Sequence, residues 1–291
     1  MIPLASPTDT GLPADARIIP LRGFSGCHVL LVSSNQSTYV RKLSRDADYN
    51  KRLLQQAEKQ KNFTGNDFFH PVKVRASGQL PSGIAYIDMD YVPGVTAAEI
   101  LTTLPLADIQ RWSGMLLRFA SAPEQGTIDS TIFKNKIVEL QTILQERNLT
   151  TPAVAETLAR LRSRPWTGVP HSPCHGDLTL ENILAHDGQL YLIDFLDSFA
   201  DSWYMDMAKL MQDLIGGWSF RYLEADRNLV LRLASLRHSI ESALEEKRSG
   251  CVATIHDLYA LSLLRILPYS SAQEEQRYIE GRLSAALNDF L

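Results

Sequence analysis

The chain has 291 residues, of which 45% are hydrophobic and 21% charged, and its formal net charge is −4. This length allows a buried core and two lobes, and the composition is that of an ordinary globular protein. The slight acidity, with both signs interspersed along the chain, gives no electrostatic case for a nucleic-acid partner.

No apolar run approaches the roughly 18–20 residues that a membrane span requires, and the N-terminus lacks a basic start followed by an apolar core. We therefore expect a cytoplasmic protein without a membrane partner. Three cysteines, Cys27, Cys174 and Cys251, lie far apart and lack the spacing of a zinc site or a redox pair. This pattern predicts free thiols.

The first predicted element is an extended arm over residues 1–17, which is rich in proline and small polar residues. Strand signals follow, and segments 27–32 and 38–43 predict a hairpin. Two glycines, Gly23 and Gly26, precede its first strand. They allow a backbone to pass close over a ligand phosphate, and they are equally compatible with a simple turn.

A helix is predicted over residues 47–62, with apolar positions that include Leu53 and Ala57. Glu58 lies at the edge of this apolar stripe. Its carboxylate is either a solvated flank of the helix or the partner of a buried cation, for which Lys42 on the preceding strand is the candidate.

Two further strands are predicted over residues 70–76 and 84–92, and the second is followed by Pro93-Gly94. Proline and glycine together end a strand and form a natural joint. Beyond the joint the apolar spacing is almost wholly helical. The predicted division is an N-terminal lobe over 1–92, a hinge over 93–95 and a helical C-terminal lobe over 96–291.

The helical part contains regular apolar stripes and, near residue 204, the start of another helix face. The remainder of the chain predicts three more helices. The stripe residues are Ile109, Trp112, Leu116 and Ala120, then Phe133, Ile137, Leu140 and Leu144, then Val154, Leu158 and Leu161, then Tyr204, Met207, Ala208, Met211 and Ile215.

Three polar side chains, Asp177, Asn182 and Asp194, lie between short apolar runs. Asp187-Gly188 between the last two is a strong signal for a two-residue hairpin turn. Such a hairpin places Asn182 before one strand and Asp194 at the end of its partner. One Asp to accept a hydroxyl proton, with an Asn and a second Asp to bind magnesium, is the arrangement that phosphoryl transfer requires.

The motifs HGDLTLEN at 175–182 and LIDF at 192–195 follow a β-rich segment with one helix and a Pro-Gly joint. This combination resembles the aminoglycoside phosphotransferase and choline kinase family over residues 18–215. The resemblance implies an α+β, bilobal protein-kinase-like fold, with a small antiparallel sheet and one helix in the N-lobe. It also implies transfer of the γ-phosphate of ATP to a hydroxyl of a small molecule, with Mg²⁺.

By the same resemblance, Asp177 is the catalytic residue, and Asn182 and Asp194 bind magnesium. Asp206 is expected to hold the catalytic loop by hydrogen bonds. Asp197 either touches metal or substrate or caps a turn. Six residues are implied to serve the nucleotide: Lys42 at the α- and β-phosphates, Glu58 as its ion-pair partner, Ser25 and Gly26 at the phosphates, and the Asp90 carbonyl and Val92 amide at adenine.

Two functions compete with this interpretation. A protein kinase usually has HRD instead of HGD and needs a long activation segment, for which the few residues between Phe195 and Trp203 leave no room. A non-catalytic nucleotide-binding scaffold is expected to have lost at least one of the key polar residues. No P-loop motif is present, and Pro173 between His171 and His175 disfavours a zinc site.

The acceptor is less well defined by the sequence. Four aromatic residues near the motifs suit a cage for a quaternary ammonium or a stacking surface for a sugar, and they also suit a core. They are Trp203, Tyr204, Trp218 and Tyr222. An aminoglycoside would favour acidic residues such as Asp197, Asp201, Asp213 and Glu224. We expect a sugar or sugar derivative ahead of choline or ethanolamine, with an antibiotic third; the sequence leaves the oligomeric state open.

Overall fold

The computed structural model describes residues 11–12, 15–21, 23, 26–35, 37–65, 68–223, 226–270 and 272–288. The chain divides into two compact units. The first consists of Met1–Val95 and Asn182–Asp197, and the second of Thr96–Glu181 and Ser198–Leu291. The first unit is therefore discontinuous in sequence, because it contains a segment from far down the chain.

The first unit contains most of the β structure. A five-stranded sheet has the order β1-β2-β3-β6-β5, and all neighbouring strands are antiparallel. The elements are β1 Arg17–Leu21, β2 His28–Ser33, β3 Thr38–Leu43, α1 Asn50–Asn62, β4 Phe69–Pro71, β5 Val74–Gln79, β6 Ala85–Asp90, β7 Val95–Thr96, β8 Ile183–His186 and β9 Gln189–Leu192.

The predicted first hairpin and the predicted helix are both present. Strands β2 and β3 pair with Val29 opposite Lys42. Helix α1 buries Leu53 and Ala57 in one apolar cluster with strand residues that include Ile87. The helix begins at Asn50, three residues later than predicted.

Most of the predicted N-terminal arm, residues 1–10, lies outside the described residues. Leu12 is buried in a second apolar cluster with Leu30, Val32 and Leu43. This part of the arm therefore contributes to the core of the first unit.

The prediction of one strand over 70–76 is wrong. The structure has two short strands there, and they belong to different sheets. β4 pairs in parallel with β9, with Phe69 opposite Leu190, whereas β5 pairs with β6. β4 ends at Pro71, which has no N–H to donate, and the last hydrogen bond to β9 runs from the Val72 amide to the Leu192 carbonyl at 2.9 Å. The strand predicted over 84–92 is also shorter, since β6 ends at Asp90.

The hairpin predicted at Asp187-Gly188 is confirmed. β8 and β9 are antiparallel, with Ile183 opposite Leu192. Asp187 and Gly188 have φ values of 49° and 76°, and a pair of positive φ values is what a type I′ turn requires. At the open end of the hairpin the amide of Ile193 donates to the carbonyl of Asn182 at 3.1 Å. Asn182 therefore lies opposite Ile193, the residue that precedes Asp194.

The second unit is helical, and all residues of the predicted apolar stripes are buried except Ile215, which is partly buried. After residue 225 the described chain forms the three predicted helices. The helices are α2 Ala97–Thr103, α3 Ile109–Leu116, α4 Ser130–Glu146, α5 Pro152–Ser163, α6 Trp203–Leu214, α7 Arg227–Lys247, α8 Cys251–Ile266 and α9 Gln273–Asn288. All 12 residues of α6 are buried, which makes it the central helix of this unit.

The expectation that no apolar segment reaches the length of a membrane span needs correction. The 19 residues Cys251–Tyr269 are long and apolar enough by length and composition. However, 78% of the most apolar window is buried inside the structure, as in the core helix of a globular protein. None of the three cysteines forms a disulfide, as predicted, and all three are buried.

The turn of the β8–β9 hairpin provides a test of this backbone. Gly188→Ala should destabilise the protein by about 1 kcal/mol, because alanine disfavours a positive φ. An added β-carbon meets no atom within 4 Å, so the effect is conformational. Gly114→Ala in α3 also enters open space and should stabilise by roughly 0.5–1 kcal/mol through helix propensity. Denaturant unfolding measures both, and equal effects would contradict the turn assignment.

Candidate active site

The loop that carries Asp177 is anchored to helix α6 through Asp206. The two carboxylate oxygens of Asp206 accept hydrogen bonds from the amides of His175 and Gly176, each at 2.8 Å. These are the hydrogen bonds that the sequence led us to expect for Asp206. Gly176 has a φ of 88°, a conformation that glycine adopts without strain. The main chain immediately before Asp177 is thereby fixed.

Asp177 lies between a buried lysine and a buried histidine. Its side chain is 31% exposed, and its Oδ1 lies 3.1 Å from Nζ of Lys209. Its amide donates to Nδ1 of the fully buried His175 at 3.2 Å. Burial raises the pKa of Asp177, but the ion pair and hydrogen bond with Lys209 outweigh burial and leave it below its ordinary value. The carboxylate is therefore ionised at neutral pH.

A second carboxylate on α6 holds the loop on the other side of Asp177. Asp213 accepts hydrogen bonds from the Leu180 amide at 2.6 Å and from the amide and hydroxyl of Ser219 at 2.8 and 2.7 Å. Burial, with a smaller contribution from the charge of Asp177, raises its pKa from 3.8 to about 6 against these donors. The sequence analysis named Asp213 only among acidic residues that would suit an aminoglycoside. In the structure its carboxylate anchors the loop.

Asp194 lies in the first unit and forms an ion pair with Lys42. Nζ of Lys42 donates to Oδ1 of Asp194 at 2.8 Å, and their side chains are 4% and 39% exposed. Burial disfavours the charge on Lys42, but its interactions with Asp194 outweigh burial and raise its pKa. Asp194 has a φ of 60°, a conformation that costs free energy in a residue other than glycine and that is found at functional sites.

Asn182 and Asp194, at the open end of the β8–β9 hairpin, suit a hard divalent cation. Both offer side-chain oxygen atoms, which Mg²⁺ prefers, and the Asp194 carboxylate is partly open to solvent. Within the described residues no three His, Cys, Asp or Glu side chains form a metal cage. A cation bound here would therefore complete its shell with phosphate oxygens and water, as Mg²⁺ usually does.

The predicted ion pair between Lys42 and Glu58 is wrong. The Glu58 side chain is 64% exposed and lies 3.8 Å from Lys61, and it accepts a hydrogen bond from Asn62. The buried face of α1 passes through Ala57 and Gln60 instead, so the next position after Ala57 points to solvent. Lys42 takes Asp194 as its partner, a residue 152 positions away that helix periodicity does not reveal.

Five of the six residues expected at the nucleotide are described, and all five lie in the first unit. The sixth, Ser25, falls outside the described residues. Gly26 has a φ of 74° and precedes β2, the strand that pairs with the strand of Lys42. Asp90 ends β6, and its carboxylate accepts a hydrogen bond from Arg75. In the described part of the chain, the Val92 amide has no main-chain acceptor.

The four aromatic residues expected near the acceptor do not form an open cage. Trp203 and Tyr204 are buried in the core. Trp218 and Tyr222 both face the guanidinium of Arg221, whose central carbon lies 4.2 and 4.5 Å from their ring centroids.

The four acidic residues expected near an aminoglycoside do not form a common group among the described residues. Asp213 anchors the loop, and Asp201 accepts a hydrogen bond from the Cys174 thiol. Asp197 is exposed, and Glu224 lies outside the described residues.

The comparison of the sequence with known families covers both the loop of Asp177 and the β8–β9 hairpin. The model of the phosphotransferase enzyme family matches residues 18–225, which is more than half of the chain. The chain belongs to the phosphotransferase enzyme family. The resemblance inferred from HGDLTLEN and LIDF is therefore confirmed. No curated protein matches this phosphotransferase significantly.

Solved structures confirm the protein-kinase-like fold of this phosphotransferase. Aminoglycoside phosphotransferase APH(4)-Ia superimposes with a TM-score of 0.65 at 13% identity, and the match covers 94% of both chains. A choline/ethanolamine kinase family protein from Mesorhizobium loti has a TM-score of 0.54 at 16% identity, covering 94% of this chain and 87% of that one. Amicoumacin kinase hAmiN, in complex with AMP-PNP, Ca²⁺ and Ami, has a TM-score of 0.53 at 12% identity, covering 95% and 89%.

The partner of Lys42 can be tested by paired substitutions. Asp194→Asn should destabilise the phosphotransferase by roughly 1–3 kcal/mol, because it leaves the buried ammonium without an opposite charge. Glu58→Gln should change the unfolding free energy by less than about 0.5 kcal/mol, since it alters a solvated surface. Denaturant unfolding measures both. A larger effect of the Glu58 variant would restore the predicted Lys42–Glu58 pair.

The raised pKa of Asp213 predicts a pH dependence of stability. A carboxyl group with a pKa of about 6 in the folded state and 3.8 in the unfolded state binds its proton more tightly when folded. The stabilisation that this tighter proton binding gives the folded state is therefore fully present below pH 3.8 and is lost as the pH rises to about 6. Two pKa units correspond to about 3 kcal/mol.

The unfolding free energy of the wild type, relative to Asp213→Asn, should fall by about this amount between about pH 4 and 6.5. Above that range the difference should stay constant. Denaturant unfolding over a pH series measures it, with Asp108→Asn at the protein surface as the matched control. A difference that does not vary with pH would contradict the assignment.

Proposed function

We propose that this protein is an ATP-dependent kinase that transfers the γ-phosphate to a hydroxyl group of a small molecule, with a sugar or sugar derivative as the favoured acceptor. The observation that supports it most is the loop around Asp177, in a chain that belongs to a phosphotransferase family. Two carboxylates of α6 hold the main chain of that loop, and the Asp177 carboxylate is kept ionised and partly exposed.

In the proposed reaction the acceptor oxygen attacks the γ-phosphorus. A bond forms between them, the bond from the γ-phosphorus to the β-γ bridging oxygen breaks, and ADP leaves. Asp177 orients the hydroxyl and receives its proton, which later passes to solvent. A carboxylate with a lowered pKa is a weak base, so the proton arrives late, when the new bond is largely formed. The main contributions of the protein are positioning and electrostatic stabilisation.

Lys42, Asn182 and Asp194 are proposed to serve the phosphate groups. When bound, Mg²⁺ would neutralise phosphate charge, and Asn182 and Asp194 would hold it through their side-chain oxygens. Lys42 would contact the α- and β-phosphates. Its ion pair with Asp194 supports this role, because that pair keeps the ammonium charged although it is buried.

The remaining nucleotide contacts are proposed from the family resemblance and supported by local geometry. Ser25 and Gly26 would lie at the phosphates, and the positive φ of Gly26 suits a close backbone approach. The Asp90 carbonyl and the Val92 amide would meet adenine. An amide without a main-chain acceptor in the described chain is suited to donate to a ligand. Glu58 is exposed and is not part of this proposal.

A sugar-like acceptor is favoured over choline or ethanolamine. A quaternary ammonium is best recognised by open aromatic faces, but here Arg221 lies against Trp218 and Tyr222. A thermostable mutant of aminoglycoside phosphotransferase APH(4)-Ia has been crystallised in a ternary complex with AMP-PNP and hygromycin B. This supports a sugar-bearing acceptor.

A location in the cytoplasm is proposed as well. Its support is that the three cysteines are buried thiols that form no disulfide, which suits a reducing compartment.

The test is ATP consumption by the purified protein with Mg²⁺ against a panel of sugars, amino alcohols and aminoglycosides. One acceptor class should stimulate turnover, and Asp177→Asn should lower it about 10²–10⁴-fold. Nucleotide affinity, measured by calorimetry, should be unchanged in this variant because the substituted group serves the hydroxyl. Asp108→Asn supplies the same chemical change at a surface position and should behave as wild type.

The outcomes separate the alternatives. Turnover of amino alcohols alone would overturn the sugar preference and retain the kinase. Binding of ATP without turnover of any acceptor class, or full activity of Asp177→Asn, would count against the proposed function and favour a non-catalytic nucleotide-binding protein.

A further inference from the structure

A lysine lies in the buried helix α6, where an isolated charge is expensive. The Lys209 side chain is 8% exposed, and its ammonium lies 3.1 Å from Oδ1 of Asp177 and 3.2 Å from Oε1 of Gln212. A buried ammonium persists only when it is paired and hydrogen-bonded. The fold therefore places a cation in contact with the carboxylate of Asp177, the residue proposed to orient the acceptor hydroxyl.

We propose that Lys209 is a positioning residue for phosphoryl transfer, which holds Oδ1 of Asp177 so that the rest of the carboxylate is presented to the acceptor hydroxyl. The inference rests on the proposed function. It adds a residue that neither the HGD nor the LIDF motif contains, and that sequence reasoning did not identify.

The geometry of α6 explains why such a residue is needed. Asp206, Lys209 and Asp213 are spaced by three and four residues and therefore share one face of the helix. Asp206 binds the main chain before Asp177, and Asp213 binds the Leu180 amide after it. Both contacts hold the main chain of the loop. The contact with Lys209 acts on the Asp177 side chain itself, at its Oδ1 atom.

The titratable groups around Asp177 support the same role. Lys209 and Asp213 face it from α6, His175 from its own loop, and Arg265 from α8. Lys209 makes the largest contribution opposing burial and keeps the pKa of Asp177 low. A lysine that lowers basicity does not strengthen a base, so its value lies in the orientation and ionisation of the carboxylate. A methionine would fill similar volume without either effect.

The test uses Lys209→Met, which removes the charge, Lys209→Gln, which retains a hydrogen-bond donor, and Lys209→Arg, which restores the charge. The exposed Lys134→Met is the control. The pKa of Asp177 is followed by carboxyl ¹³C NMR on the full chain, and its resonance is the one lost in Asp177→Asn. The acceptor-dependent kcat and the nucleotide KM are measured on the same samples.

In the wild type, the Asp177 resonance should not titrate between about pH 4 and 7. In Lys209→Met and Lys209→Gln its pKa should rise by about 1–3 units into that window. The kcat should fall about 10²-fold, as expected for a misplaced reacting group, with an unchanged nucleotide KM. Lys209→Arg should recover much of the activity and the low pKa, and Lys134→Met should match the wild type.

A folded Met or Gln variant with an unshifted Asp177 pKa, or with wild-type kcat, would overturn the proposal. If Lys209→Met fails to fold, the Gln and Arg variants give the same comparison. Failure of the proposed function has a different signature: the wild type would turn over no acceptor, although the Asp177 resonance still responded to the loss of Lys209.

Discussion

The contact between helix α6 and the Asp177 loop is the constraint on which the second unit depends. A helix with all 12 residues buried has no solvent to satisfy its polar side chains, so each one needs a partner within the protein. Asp206 and Asp213 take theirs from main-chain amides of the loop, and Lys209 takes the Asp177 carboxylate. The burial that stabilises the helix thus also fixes the loop, because breaking any of these contacts would leave an unpaired buried group.

In the first unit a buried lysine is paired with a carboxylate from a segment much later in the chain. The β8–β9 hairpin pairs with β4 of the N-terminal segment, which brings Asp194 to Lys42. The lysine lies among apolar residues, where desolvation alone would favour its neutral form. Asp194 reverses that preference. Its own positive φ is tolerated because the ladder on one side and the ion pair on the other over-determine its position.

In each of the two units the buried charged groups follow one electrostatic rule: burial opposes charge, and one close opposite charge decides the outcome. Lys42 and Asp177 keep their charges because each has such a partner. Asp213 accepts from the neutral donors of Leu180 and Ser219, is buried and lies near a like charge, so the pKa of its carboxyl group rises to about 6. Glu58 is the case without burial: its carboxylate is solvated, so an ion pair adds little to its stability.

The sequence by itself determined the local elements, because their signals lie within a few residues. The Asp187-Gly188 turn, the stripe of α1 and the apolar spacing of the helices required no knowledge of distant segments, and the motif around Asp177 was enough to identify the family. The tertiary structure alone decided which charges meet. Lys42 pairs with a residue 152 positions away instead of the nearby Glu58, and segment 70–76 divides between two sheets. Lys209 gains its importance only from the loop packed on it. Such contacts depend on burial and on the packing of remote segments, which residue spacing does not encode.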